Sequence, residues 1–176
     1  METELIIEGI SFPPLSARGC DQQLTLSPQG QFRRTVSGKL CFIGHKSKKY
    51  HSIIKCSDTT TLASSGIFGR GDTLRVGCLQ RLWQKTTGGI VHLERKAVEG
   101  SIAVIDQQQN AIPFRIINDE TIEVISSTQA NLNSTSEKPN FFCCFRPWMT
   151  MKILDIKFYA SEWNLKSGWQ LELEEI

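Results

Sequence analysis

The C-terminal stretch GWQLELEEI, Gly168–Ile176, alternates apolar and polar residues. Trp169, Leu171 and Leu173 share one parity, and the residues between them are Gln or Glu. Successive side chains of a β-strand point to opposite faces of the sheet. The pattern therefore predicts a strand with one face on an apolar core and the other in water.

Period-two alternation recurs along the chain, whereas helical periodicity is scarce. In Thr73–Leu82, for example, Leu74, Val76 and Cys78 share one parity. Further strands are predicted at Leu5–Ile10, Gln22–Leu26, Arg34–Ile43, Ser52–Cys56, Val91–Lys96, Ile102–Ile105, Ile112–Ile117, Thr121–Ile125, Phe141–Phe145 and Met149–Tyr159. Many short strands separated by turn signals predict an all-β fold, an antiparallel β-sandwich or barrel.

The length of 176 residues suits one domain, so we predict a single β domain over 1–176 with a variable middle at about 85–140. Ser126–Asn140 is polar and predicts a long loop. Only Thr59–Phe68 could hold a short helical turn. Ile116–Thr121 contains Asn and Asp, which favour turns, and it predicts a hairpin.

Composition indicates an ordinary globular protein. The formal net charge is +2, and no apolar run reaches the roughly 20 residues of a membrane span. Acids at the N-terminus, Glu2 and Glu4, do not fit a signal peptide, so we predict synthesis in a cytoplasm and no membrane partner. The basic run Gly44–Lys55 predicts a solvated hairpin tip rather than a specific nucleic-acid site.

The six cysteines contain no Cys-x-x-Cys pair. Without a secretion signal we expect no disulfide and interpret the thiols as small buried hydrophobic groups. An iron–sulfur cluster in a tail component is a minor alternative, with candidate ligands Cys56, Cys78, Cys143 and Cys144.

Catalytic patterns are missing from the sequence. His45, His51 and His92 have no partner at metal or triad spacing, and no phosphate-binding glycine loop or nucleophile motif occurs. We therefore predict a non-enzymatic protein with no catalytic residue, no metal and no cofactor.

Four segments resemble a known family: Lys48–Asp58, Gly71–Leu79, Phe145–Phe158 and Gly168–Ile176. Their order and spacing resemble small minor tail proteins of long-tailed bacteriophages and phage-derived particles, including gene-transfer-agent-like particles. That family has a Lys-Tyr-Arg-Ser run, a Pro-Gly turn before a Val-x-Val-x-Cys strand, an Arg-Pro strand and a Trp-x-Leu-x-Leu-Glu-Glu end. This chain departs from the pattern at His51, where arginine is usual, and over 60–66.

The resemblance implies a virion structural protein of the tail tip or tail tube, made in the bacterial host cytoplasm and assembled as a homo-oligomeric ring. Its implied partners are other tail proteins: the tube, the tape measure and the tip or hub. It also bears on Arg70-Gly71-Asp72, a tripeptide often read as an adhesion signal. Gly71 matches the family's turn glycine, which can adopt φ > 0, so the tripeptide is interpreted as a turn before a strand.

A ring needs sheet edges or apolar faces that copies can cover. Met149–Tyr159 carries large apolar residues at both parities, which fits either a strand with a partner on one face or a central sandwich strand. Aromatic residues crowd the same region, as they do in cores and interfaces. The predicted interface candidates are Arg146, Trp148, Met149, Met151, Trp163 and Trp169. The alternative function is a receptor- or glycan-binding β-sandwich that uses exposed aromatics and the Ser126–Asn140 loop.

Overall fold

The computed structural model describes residues 4–9, 12, 17, 19–27, 30–44, 48–58, 68–125, 140–163 and 166–176. These residues form antiparallel sheets and no helix, which confirms the predicted all-β fold. The strands are β1 Ile6–Ile7, β2 Cys20–Leu26, β3 Gly30–Arg34, β4 Leu40–Gly44, β5 Tyr50–Asp58, β6 Thr73–Gly77, β7 Leu82–Thr86, β8 Gly89–His92, β9 Ala103–Ile105, β10 Phe114–Asn118, β11 Thr121–Val124, β12 Phe141–Phe145, β13 Trp148–Ser161 and β14 Lys166–Glu175.

The chain divides into two compact units, residues 1–74 with 150–176, and residues 75–149. The division passes through β6 and close to the start of β13. The prediction of one domain over 1–176 with a variable middle stays a prediction.

A six-stranded sheet dominates the first unit, in the order β1-β6-β13-β14-β5-β2. On β14, Trp169, Leu171 and Leu173 are buried, as the alternation predicts. Leu171 lies opposite Ile54 on β5, which is also buried, and Phe12 stacks on Trp169 with ring centroids 6.1 Å apart. The apolar residues at alternate positions of the C-terminal strand therefore form part of the core of this unit.

Strand β13 lies between β6 and β14, so it is a central strand. Its register with β14 shifts between Ile153 and Asp155, where a bulge interrupts the ladder. Ile153 lies opposite Leu173, and Ile156 lies opposite Leu171, so both share the face of the buried β14 residues. One extra residue reverses the parity of all that follow it. The bulge therefore brings Ile156 and Phe158 onto the face of Ile153, although their sequence parity is opposite, while Trp148 before the bulge stays on the other face.

The predicted strand Arg34–Ile43 is instead a hairpin, which we call the ribbon, residues 30–44. β3 pairs only with β4 among the described strands, and the two form a separate two-stranded sheet. The turn is closed by the backbone N–H of Thr35, which donates to the carbonyl of Lys39 at 2.9 Å. Gly38 has φ +81°, a conformation that favours glycine, and it makes this reversal accessible.

The second unit contains two three-stranded sheets, β10-β11-β8 and β7-β12-β9. Both sheets contribute to one apolar core, which consists of Val91, Leu93, Ala97, Val104, Ile122, Val124, Phe141, Cys143 and Phe145. β7 was not predicted as a strand of its own. The predicted turn Ile116–Thr121 does connect β10 to β11, with a register shift between Ile116 and Asn118.

Two predicted segments fall on residues that the structure does not describe, apart from their last members Phe68 and Asn140. These are the helical turn Thr59–Phe68 and the polar loop Ser126–Asn140. The described residues contain no helix that is long and apolar enough to cross a membrane.

Candidate functional site

The Arg70-Gly71-Asp72 turn is held by bonds within the chain. Gly71 has φ +91°, which confirms the predicted left-handed glycine. The backbone N–H of Gly71 donates to the Ile153 carbonyl at 2.8 Å, and a carboxylate oxygen of Asp72 accepts from the N–H of Gly69 at 2.7 Å. Arg70 Nε donates to the Leu154 carbonyl at 2.8 Å. These contacts give the tripeptide a structural role as the turn that leads into β6.

The ribbon exposes large apolar side chains. Phe32 lies opposite Phe42, and their rings meet edge to face with centroids 5.3 Å apart. Phe32 is nevertheless 67% exposed, and Leu40 and Ile43 are also exposed. Because opposite residues in a ladder share a face, Phe32 and Leu40 lie on one face and Ile43 on the other. Both faces of the ribbon are therefore partly apolar and open.

The ribbon also carries only positive charge. Arg33, Arg34 and Lys39 belong to it, and the sequence from 22 to 57 contains seven Lys or Arg residues and no Asp or Glu. Arg34 Nη1 donates to the carbonyl of Gly38 at 3.0 Å, which orients this side chain along the turn. The combination of apolar and cationic side chains on an isolated hairpin is a candidate interaction surface.

A second surface lies on the β10-β11-β8 sheet, which we call the acidic sheet. β10 ends this sheet, so in the described part of the chain no strand pairs with its outer edge. Ile90, Ile116 and Ile117 are exposed on this sheet. Asp119 and Glu120 occupy the turn between β10 and β11 and are exposed as well. The β10 edge with its turn is thus apolar and acidic, whereas Ile90, opposite Glu123, lies on the other face of the sheet from Ile116.

The β13–β14 hairpin ends in a third surface, the aromatic tip. Trp163 lies in the turn and is 92% exposed, while Phe158 and Tyr159 on β13 are about half exposed. Tyr159 lies opposite Gly168, and its hydroxyl donates to the Trp169 carbonyl at 3.3 Å. The Tyr159 ring occupies the space that a Cβ on Gly168 would take, which explains the glycine at this position.

The six-stranded sheet also has an open edge. β2 is its last strand and spans seven residues, and no described strand pairs with its outer side. Within the sheet, Cys20 of β2 lies opposite Cys56 of β5, with a Cα–Cα distance of 4.2 Å, and a disulfide joins the two residues. The expectation of no disulfide is wrong for this pair. Direct cross-strand register, which the sequence does not reveal, brings the two thiols together.

The predicted interface residues separate into buried and exposed groups. Met149, Met151 and Trp169 are at most 1% exposed and belong to the core of this chain. Trp148 is half-buried, and Arg75 Cζ lies 4.9 Å from the centroid of its ring. Of the six candidates, Trp163 alone offers a nearly complete side chain to a partner.

Arg146 is buried and holds backbone segments together. Its Nε donates to the carbonyl of Cys78 at 2.8 Å, and its backbone N–H donates to the hydroxyl of Ser101 at 3.1 Å. The Ser101 hydroxyl in turn donates to the Val98 carbonyl at 2.6 Å. The Arg-Pro element of the resemblance therefore has a structural explanation in this chain, since a guanidinium is a strong donor to backbone carbonyls.

The possible metal ligands of the described part of the chain do not gather at one site. No three His, Cys, Asp or Glu side chains there lie close enough to hold a metal ion. His51 Nε2 lies 3.1 Å from Glu172 Oε1 on the polar face of the sheet, and His45 falls outside the described residues. Cys56 is bonded to Cys20, so in this form it could not be a ligand of the iron–sulfur alternative.

The remaining cysteines differ in accessibility. Cys78, Cys143 and Cys144 are buried, whereas Cys41 on β4 is half-buried. Burial, and then the neighbouring Cys144, raise the pKa of the Cys143 thiol to about 11. A thiol that stays protonated is a poor nucleophile and a poor metal ligand.

The sequence prediction missed the ribbon as a hairpin, and it predicted the strands of the acidic sheet and the turn between β10 and β11 but not the open edge of β10. The signals for the ribbon were present, in Ser37-Gly38 as a turn and in the absence of carboxylates between 22 and 57. Together the fold and these surfaces define an antiparallel all-β protein whose described strands include unpaired sheet edges. The chain matches no known protein-family model, and no curated protein matches it.

Proposed function

We propose that this protein is a non-enzymatic structural component of a phage-like tail, which forms or joins a ring at the tail tip or tail tube. The resemblance of four segments to small minor tail proteins supports the tail assignment. The exposed strand edges of an all-β chain support the assembly role, and they are the observation on which this role rests.

The physical reason concerns unpaired backbone groups. An edge strand presents N–H and C=O groups that another strand can pair with, and globular proteins usually cover or interrupt such edges. Among the described strands, β2 presents an unpaired seven-residue edge, β10 ends the acidic sheet, and the ribbon is two-stranded. A closed ring would cover edges of this kind in every copy.

The test uses the strain that encodes the protein. Deleting its gene is expected to yield particles without complete tails, and mass spectrometry of purified wild-type particles is expected to detect the protein in a fixed stoichiometry with tube and tip proteins. A matched deletion of a gene outside the tail cluster controls for the manipulation. Complete, infectious tails from the deletion strain would refute the proposal.

The aromatic tip favours a second candidate function, binding of a host receptor or glycan at the tail tip. Trp163 is 92% exposed, and Phe158 and Tyr159 lie on the same hairpin. Exposed aromatic rings stack on sugar faces and anchor protein contacts. Replacing Trp163 by Ala should abolish binding to host cells or to a glycan array, while Trp83→Ala, which removes an exposed tryptophan of the second unit, should leave it intact. Equal binding by both variants would exclude this function.

A further inference from the structure

We propose that the ribbon of one copy docks onto the acidic sheet of a second copy of this chain, in a head-to-tail contact. This contact names the surfaces that would join neighbouring subunits of the proposed ring. The ring itself rests on the proposed function, whereas the contact between two copies does not.

The ribbon has the properties of a segment completed by a partner. A two-stranded hairpin is at best marginally stable when nothing covers it. The Phe32 and Phe42 rings contact each other, yet Phe32 keeps two thirds of its surface in water. Leu40 and Ile43 expose apolar surface on opposite faces of the same hairpin. Burial of these side chains against an apolar surface would remove them from water.

The acidic sheet offers the complementary surface. Ile116 and Ile117 are exposed on β10, whose outer edge is open in the described part of the chain, and Ile90 is exposed on β8. Asp119 and Glu120 lie at the β10–β11 turn and follow Ile117 closely in the chain, whereas Ile90 lies opposite Glu123, on the other face of the sheet from Ile116. Each of the two surfaces therefore offers exposed apolar side chains and an unpaired strand edge to the other.

The charges of the two surfaces favour a second copy of this chain as the partner. The ribbon carries three Lys or Arg residues and no carboxylate, whereas the three strands of the acidic sheet and the β10–β11 turn carry Asp119, Glu120 and Glu123 and one arginine, Arg115. The ribbon therefore has a formal charge of +3 and the acidic sheet with its turn a formal charge of −2. Complementary potentials favour the ribbon-to-sheet contact, and like charges disfavour ribbon-to-ribbon and sheet-to-sheet contacts.

The geometry of such a contact is heterologous, because two different surfaces meet. Heterologous contacts generate closed rings where the rotation closes and open filaments where it does not. A single kind of contact between copies would therefore be enough to build the ring of the proposed function.

The first experiment measures self-association. Sedimentation and native mass spectrometry over a range of concentrations should show oligomers for the wild-type chain. Replacing Arg33 and Arg34 by Glu should weaken association at least about tenfold, because like charges would then face each other. As a control, Lys85→Glu with Lys152→Glu changes the net charge equally at exposed sites outside both surfaces and should associate like the wild type.

The second experiment restores the contact. The variant Asp119→Lys/Glu120→Lys should likewise associate with itself at least about tenfold more weakly than the wild type. Mixed with Arg33→Glu/Arg34→Glu, it should form oligomers that contain both variants, since each ribbon then meets a sheet of opposite charge. Recovery in the mixture shows that both variants are folded.

Three outcomes would overturn the inference: a wild-type chain that stays monomeric at every concentration, reversed ribbon charges that leave association unchanged, or a mixture that remains monomeric. Binding of the ribbon to an oligonucleotide by a chain that never self-associates would also overturn it, in favour of a polyanion site. If deletion of the gene had no effect on tails, the proposed function would be refuted. The contact between copies would not be, because self-association is measured on the purified protein.

Discussion

Replacing Leu171 by Ala tests the register on which the six-stranded sheet depends. Leu171 is completely buried on β14, with Ile156 of β13 on one side and Ile54 of β5 on the other. The substitution removes three carbon atoms at about 0.8 kcal/mol per buried methylene, and the cavity left behind adds to this loss. We expect the free energy of unfolding to fall by about 3 kcal/mol, within the range of roughly 2–5 kcal/mol for buried leucines.

Urea unfolding followed by circular dichroism measures this change. The midpoint should move to lower urea concentration while the slope stays constant, since the substitution alters stability and not the surface exposed on unfolding. Gln170→Ala is the matched control, because Gln170 is the neighbouring residue on the opposite face and its loss should cost no more than about 0.5 kcal/mol. A cost below about 1 kcal/mol for Leu171→Ala, or equal costs for the two variants, would refute the assigned register.

Three further predictions concern single sites. Iodoacetamide at pH 8 should modify Cys41 and spare Cys143, because the pKa of Cys143 is raised to about 11, and mass spectrometry would show the difference. Folding keeps the Cys143 thiol protonated, so the free energy of unfolding should fall as the pH rises from about 9 toward 11. Gly168→Ala should destabilise the protein by roughly 1–3 kcal/mol in thermal unfolding through overlap with the Tyr159 ring, and Tyr159→Ala in the same chain should recover part of that loss. Arg146→Met should lower the free energy of unfolding by about 2 kcal/mol, because a charge-assisted bond to the backbone at the end of β6 disappears, and an unchanged value would contradict the structural role of this arginine.

Much of the fold follows from patterns that can be read locally. The alternation of Trp169, Leu171 and Leu173 predicts which face of β14 is buried, and the structure confirms it. Gly71 before Thr73–Gly77 predicts a left-handed turn, which the structure also shows. Both signals need only the backbone geometry of a few neighbouring residues, since strand parity and positive φ are local properties.

Other features could not be predicted because they depend on pairing between distant segments. The bulge after Ile153 reverses the parity of β13, and only its register with β14 reveals this. Cys20 and Cys56 are 36 residues apart, and they meet because β2 and β5 pair in one particular register. The burial of Met149, Met151 and Trp169 follows in the same way from the place of their strands in the middle of the sheet.

The sequence by itself determined that this protein is built from short antiparallel strands, because period-two alternation, turn residues and the scarcity of helical periodicity are all written in the order of the residues. The tertiary structure alone decided which apolar residues are core and which are surface. Burial depends on which strands pair and on where a sheet ends, and neighbours in sequence do not fix either one. The ribbon shows the difference most clearly: Phe32 and Ile43 look like core residues in the sequence, yet in the structure no described element of the chain covers them, and they stay in water.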